Sequence, residues 1–130
     1  MYLLDTNAVI NYLGDTLPAR AMQFMNAIVD DNCNISVITK METLGFAFKS
    51  IAEERTMVTF ISGSNVLVIN DEIVAKTIAI RKTKKIKLPD AIIADTALVY
   101  DFILISRNTS DFTSIQHLHV IDPYSSLEHL

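Results

Sequence analysis

Cys33 is the only cysteine in 130 residues. It cannot close a disulfide within the chain or build a thiolate zinc site, so an intracellular, cytoplasmic location is expected. His117, His119 and His129 lack His-x-x-x-His spacing and cysteine partners, and no zinc site is expected from them. No apolar run reaches the roughly 18 residues of a membrane span, so no membrane association is expected. The N-terminus lacks a basic stretch leading into a long apolar one, so no signal peptide is expected. Repeats, low-complexity tracts and linkers are missing too. The chain reads as one domain, residues 1–130, and its 50% apolar content suffices for one sizeable core.

A basic balance is also lacking. Eleven Lys and Arg against fifteen Asp and Glu leave a net charge of −4, which taken alone argues against a nucleic-acid binder. The distribution qualifies that sum. Arg81, Lys82, Lys84, Lys85 and Lys87 hold five of the eleven cations in one stretch. Acids that hold divalent cations would further distort the count, because bound metal offsets their charge.

What is present is an alternation of strands and helices. Met1 to Leu4 reads as a buried strand that stops at Asp5-Thr6-Asn7, residues that favour turns and caps. Helices are expected over Ala8 to Leu13 and, after Pro18, to about Asp31, where Ala21, Phe24, Met25 and Ile28 share a face. Asn34 to Ile38 reads as a strand. Thr39-Lys40-Met41-Glu42 matches a capping box opening a helix to about Lys49. A helix over Ile51 to Ser62, a strand over Val66 to Ile69 and a helix from Asp71 to Lys84 follow. Leu88-Pro89-Asp90 opens an alanine-rich helix to Tyr100. Phe102 to Ser106 is a strand, Arg107 to Asp111 a polar turn, and Val120-Ile121 a last short strand. This order predicts an α/β domain with a mainly parallel sheet and helices on both faces. Ligands in such sheets bind at the carboxyl ends of the strands.

The acids fall there. Asp5 follows the first strand, Glu42 lies one helical turn after the second, Asp90 opens the alanine-rich helix, and Asp111 follows a late strand, with Asn108 between. Crowded carboxylates repel one another, and protonation, cationic partners or bound hard cations would relieve that repulsion. Oxygen ligands suit Mg²⁺ or Mn²⁺, and metal-assisted phosphodiester cleavage needs converging acids but no serine, cysteine or histidine nucleophile.

Each residue also has a structural account. Asp5 could cap a helix, Glu42 could complete the capping box, and Asp90 could complement a helix dipole. Asp95 lies about 140° round the helix from Asp90 and is expected in solvent or at a rim. Asp71 suits a cap. Met22, Met25, Met41 and Met57 read as core filler. The run from Arg81 to Lys87 could be a solvated helix end.

The wording of the motifs narrows these choices. Leu4-Asp5-Thr6-Asn7, a glutamate near position 40 after a short strand, Leu88-Pro89-Asp90-Ala91-Ile92-Ile93-Ala94 and Ser106-Arg107-Asn108-Thr109-Ser110-Asp111-Phe112 occur in this order. Together they resemble the PIN-domain nucleases, specifically the VapC-type toxins of toxin–antitoxin pairs, over nearly the whole chain. The resemblance implies a PIN-like three-layer α/β/α fold with about five strands, and a Mg²⁺- or Mn²⁺-dependent endoribonuclease acting on RNA. It also implies a cognate antitoxin and a homodimer. Asp5, Glu42 and Asp90 match the most regular family acids. The family often carries an acid at the position of Asn108; this chain has an amide there, and Asp111 one turn on could supply the charge. Thr6, Asn7 and Asn108 would orient carboxylates or waters, and Arg81, Lys84, Lys85 and Lys87 would contact RNA phosphates. Leu44, Phe46, Phe48 and Phe60 could form an apolar surface on the helical arm between Glu42 and Ser62, the region where the family meets a second subunit and the antitoxin. A catalytically inactive binding module on the same fold is the competing reading. A phospho-acceptor signalling domain fits less well, because Asp5 is followed by Thr6 rather than a second acid and Arg107, not a lysine, stands after a late strand.

Overall fold

The computed structural model describes residues 1–125. Its elements run β1 (Tyr2–Leu4), α1 (Thr6–Leu13), α2 (Ala19–Asn32), β2 (Asn34–Ser36), α3 (Val37–Leu44), α4 (Ile51–Ser62), β3 (Asn65–Leu67), α5 (Asp71–Thr83), α6 (Leu88–Tyr100), β4 (Ile103–Ile105), α7 (Thr109–Phe112) and β5 (Val120–Ile121). The five strands form one sheet in the order β3-β2-β1-β4-β5, and every pairing is parallel. The predicted α/β class and strand number hold.

Side chains alternate across a strand, so β1 feeds two layers. Leu4 joins Ile35 and Ile105 against α1, α2 and α4, in a core with Val9, Met25 and Ile61. Leu3 joins Leu104 on the opposite face, against Ile93, Ala94 and Ala97 of α6 and Phe112 of α7. Both leucines are fully buried. The small residues of α6 let it lie close on the sheet, and α5 and α6 make the most extensive helix pair.

Several local expectations are corrected. The second strand ends at Ser36, and α3 starts at Val37. Ser36 is the N-cap, its hydroxyl accepting from the Ile38 amide at 3.0 Å. Thr39 is therefore inside the helix and the capping box does not form. The helix ends at Leu44 rather than Lys49, because Gly45 closes it with its amide on the Met41 carbonyl. A Cβ at Gly45 would stand 2.6 Å from that oxygen. Asn70, not Asp71, caps α5. Met25 and Met57 are buried as expected, but Met41 is exposed. Arg107 to Asp111 is not simply a turn, since Thr109–Phe112 closes into α7. His129 lies outside the described residues.

Asp95 is the largest departure. It is buried, not solvated, and accepts a hydrogen bond of 3.0 Å from the Thr77 hydroxyl of α5. A face opposite Asp90 on α6 is covered by α5, which a period on one helix does not reveal.

Because Ala94 and Ala97 are fully buried, Ala97→Leu is expected to cost about 1–3 kcal/mol by overpacking. Thermal unfolding checks this as a fall in Tm of several degrees, and an unchanged Tm would show that α6 does not lie close on the sheet.

Candidate metal centre at the switch point of the sheet

The chain leaves β1 to build β2 and β3 on one side, then returns to place β4 and β5 on the other. The carboxyl end of β1 is thus the topological switch point, where connections diverge and a crevice opens. Asp5 stands at that end, its amide still held by the Ile105 carbonyl of β4 at 3.1 Å.

Asp5 is 6% exposed. One carboxylate oxygen accepts from the Ala8 amide at 2.8 Å, capping α1, and the Ser106 hydroxyl donates to the carboxylate. Capping and membership of the acid cluster are therefore compatible in this residue. Ser106 is fully buried at the end of β4 and also accepts from the Asn108 amide at 3.0 Å. Reading the sequence missed Ser106. The signal available was its place directly after the strand that pairs with β1.

Glu42 projects from α3 toward α1. Its carboxylate accepts from the Thr6 hydroxyl at 2.6 Å, so it does not reach back to its own helix as a capping box requires. Asp90 sits half-buried in the first turn of α6, behind Pro89. Asp111 is exposed in α7 and accepts from the Asn108 side-chain amide. The amide at the departing family position is thus tied to the acid one turn on. Asn7 is exposed in the first turn of α1.

The four acids share an electrostatic field. Burial raises Asp5 to about 6; Ser106 and Ala8 oppose that rise, while Asp90 and Glu42 add to it. Asp90 is raised by burial, then by Asp111 and Glu42, with Lys87 pulling it back. Asp90 therefore couples to the other three. Among the described residues no three His, Cys, Asp or Glu side chains converge closely enough to hold one ion as they are placed. The donor set still suits a hard divalent cation. It offers only carboxylate, hydroxyl and amide oxygens, and two carboxyls carry a repulsion that a cation would relieve.

The basic run spans the connection from α5 into α6, the helix that carries Asp90. Arg81 and Lys82 lie in the last turn of α5, Lys84 caps it, and Lys87 is the N-cap of α6. Lys87 is the cation of the run whose charge bears on Asp90. The Arg81 guanidinium donates through Nε to the Ile86 carbonyl at 3.3 Å, which straps the connector.

Away from the acids, an apolar cleft opens between α1, α3 and α4, lined by Ile10, Leu13, Phe46, Phe48 and Met57 among others. Phe46 is 63% exposed and meets Phe48 edge-on, with ring centres 5.7 Å apart. Phe60 turns instead to Tyr12 and the core.

A PIN domain model matches residues 2–118. The chain belongs to the PIN-domain family. Its structure resembles a chain of a toxin–antitoxin complex from Klebsiella pneumoniae, 34% identical over 95% of this chain and 98% of that one, with a TM-score of 0.74. It also resembles a chain of a DNA-bound VapBC from Salmonella typhimurium, 28% identical, covering 94% and 97%, with a TM-score of 0.77. A chain of VapBC-1 from nontypeable Haemophilus influenzae is 26% identical with the same coverage and TM-score. No curated protein matches the chain. The VapC-type likeness drawn from the motifs is borne out.

The raised Asp5 carboxyl has a consequence for stability. In the unfolded chain it ionises near 3.8 and in the fold near 6. Below about 4 both states are protonated and no penalty exists. Between the two values the unfolded chain ionises first, so stability falls as pH rises. Above 6 the penalty is complete, on the order of 3 kcal/mol. Asp5→Asn keeps an acceptor for Ala8 without the charge. In EDTA at pH 7.5 it is expected to stabilise the protein by about 1–3 kcal/mol, and the gain should shrink toward pH 4. Urea unfolding across that range measures it. A variant less stable than wild type at pH 7.5 would show that Asp5 carries no such strain.

Proposed function

We propose that this PIN-domain chain, acting as a single domain over residues 1–130, is a Mg²⁺- or Mn²⁺-dependent endoribonuclease and the toxin of a toxin–antitoxin pair. What supports the reading is the mutual coupling of four acids, Asp5 at the cap of α1, Glu42 in α3, Asp90 in α6 and Asp111 in α7, with Asp5 and Asp90 held above the usual carboxylate range. Asp5, Glu42 and Asp90 would hold the cation, with Asp111 on the Asp90 side. When bound, the cation supplies Lewis acidity, acidifying water and offsetting charge that builds on the phosphate. Ser106 and the Ala8 amide fix the Asp5 carboxylate, Thr6 fixes Glu42, and Asn108 fixes Asp111. Asn7 faces solvent at the same helix end and is available to a water or the substrate. Lys87 lies beside Asp90, and Lys84, Lys85 and Arg81 extend the positive edge along which an RNA backbone can run.

The partner reading rests on the relatives, which were solved as toxin–antitoxin complexes. An antitoxin is proposed to cover the cleft that holds Phe46 and Phe48, and the active unit is proposed to be a homodimer in the cytoplasm. The described residues contain no helix long and apolar enough to cross a membrane. An inactive binding module remains the second reading, favoured by one observation: an amide stands at position 108 where the family often has an acid.

Full-length protein free of antitoxin, incubated with total bacterial RNA, is expected to cut at discrete sites with Mg²⁺ or Mn²⁺ and not with EDTA. Asp5→Asn and Asp90→Asn should each lose at least about 100-fold in rate, in line with removal of a metal-holding group. Binding without cutting in Mn²⁺ would establish the binding module. RNA affinity should fall steeply with salt, and replacing Lys84, Lys85 and Lys87 with alanine should flatten that slope by roughly one unit per lost phosphate contact. An unchanged slope removes the run from the RNA interface.

A further inference from the structure

Thr39 is fully buried in α3, and its hydroxyl is directed differently from those of several other helical threonines. Thr43, Thr56 and Thr96 each donate to the carbonyl four residues earlier in their own helix. Thr39 instead reaches across to α1, where its Oγ1 lies 3.1 Å from Thr6 Oγ1.

Proton bookkeeping sets the direction of that contact. A threonine hydroxyl carries one proton. Thr6 spends its proton on Glu42 Oε1 at 2.6 Å, the short distance expected of a hydroxyl facing a carboxylate. Toward Thr39 the Thr6 oxygen can only accept, so Thr39 is the donor. The result is a directed chain: Thr39 to Thr6 to Glu42. Its origin is a rigid buried position, and its end is an exposed glutamate with several rotatable bonds. With Thr39 donating, the Thr6 proton cannot turn inward and must point at the carboxylate.

The structure assigns Thr39 as the positioning residue for Glu42, acting through Thr6 to hold the carboxylate toward the acid cluster. The assignment of a purpose to this relay rests on the metal-site reading above; the relay itself does not. Thr39 touches neither cation nor RNA, so it is not a catalytic residue.

The test uses the full chain without metal. Three-bond couplings of the Glu42 side chain are read by NMR in wild type, Thr39→Val and Thr39→Ser. Wild type and Thr39→Ser are expected to show one rotamer, and Thr39→Val rotamer averaging. The same couplings in Thr39→Val as in wild type would overturn the proposal. Thr6→Val supplies a second route should Thr39→Val fold poorly. It should average Glu42 alike, and adding Thr39→Val should then change nothing further; additional averaging in the double variant would overturn the relay. Mn²⁺ titration followed by water-proton relaxation is the companion measurement. Thr39→Val should weaken Mn²⁺ binding about tenfold, with Thr39→Ser restoring it. If Asp90→Asn leaves Mn²⁺ binding unchanged, the metal site is misassigned, and the Glu42 couplings alone decide the role of Thr39.

Discussion

The structure depends on burial of β1 on both faces. Three residues, Tyr2–Leu4, sit at the middle of an all-parallel sheet. Leu3 and Leu4 point into opposite cores and are sealed from water. A parallel sheet tolerates this because helices cover both its faces. The next residue inherits the consequence: Asp5 leaves the strand at the one place where the connections part, with the central strand's backbone pairing still holding its amide. The carboxylate is thus fixed at a strand end and largely stripped of water.

That cost is managed in part and retained in part. The Ala8 amide and the Ser106 hydroxyl offset some of the desolvation of Asp5, while Asp90 and Glu42 add to it. A fold seeking stability alone would remove one of these charges or pair it with a cation. Here a cation, Lys87, acts on Asp90, while Asp5 has hydrogen-bond donors but no cation among the causes that set it. Such uncompensated repulsion in a crevice is what a divalent ion can turn into binding energy. Exposure rises from the buried Asp5 through the half-buried Asp90 to the exposed Glu42 and Asp111. The outer two are steered by side-chain hydrogen bonds, from Thr6 and from Asn108.

The elements and the acids were legible in the chain to different degrees. Strands and helices alternate with clear apolar patterns, so the α/β class and the five parallel strands follow from local propensity and burial on both faces. The motif words carried the family. Element boundaries were less legible where two local signals compete. Ser36 and Thr39 are both good caps, and Ser36 wins because β2 must end in register with Leu67 of β3. That choice moved Thr39 from a cap to a buried relay and released Glu42 from the capping box. Ser106 was unreadable for a related reason. A serine ending a strand is ordinary until a neighbouring strand is known to end in Asp5.

By itself, then, the sequence determined the kind of sheet, the order of its elements and the four acids that could meet, because hydrophobic period and turn chemistry act within a few residues. Only the tertiary structure decided which groups surround each acid. It buried Asp95 against Thr77 of α5, gave Asp5 its Ser106 donor, and led Thr39 across to Thr6. Those partners lie 18 to 101 positions apart, a range where one-dimensional periodicity carries no information and the packing of layers around β1 selects the neighbours.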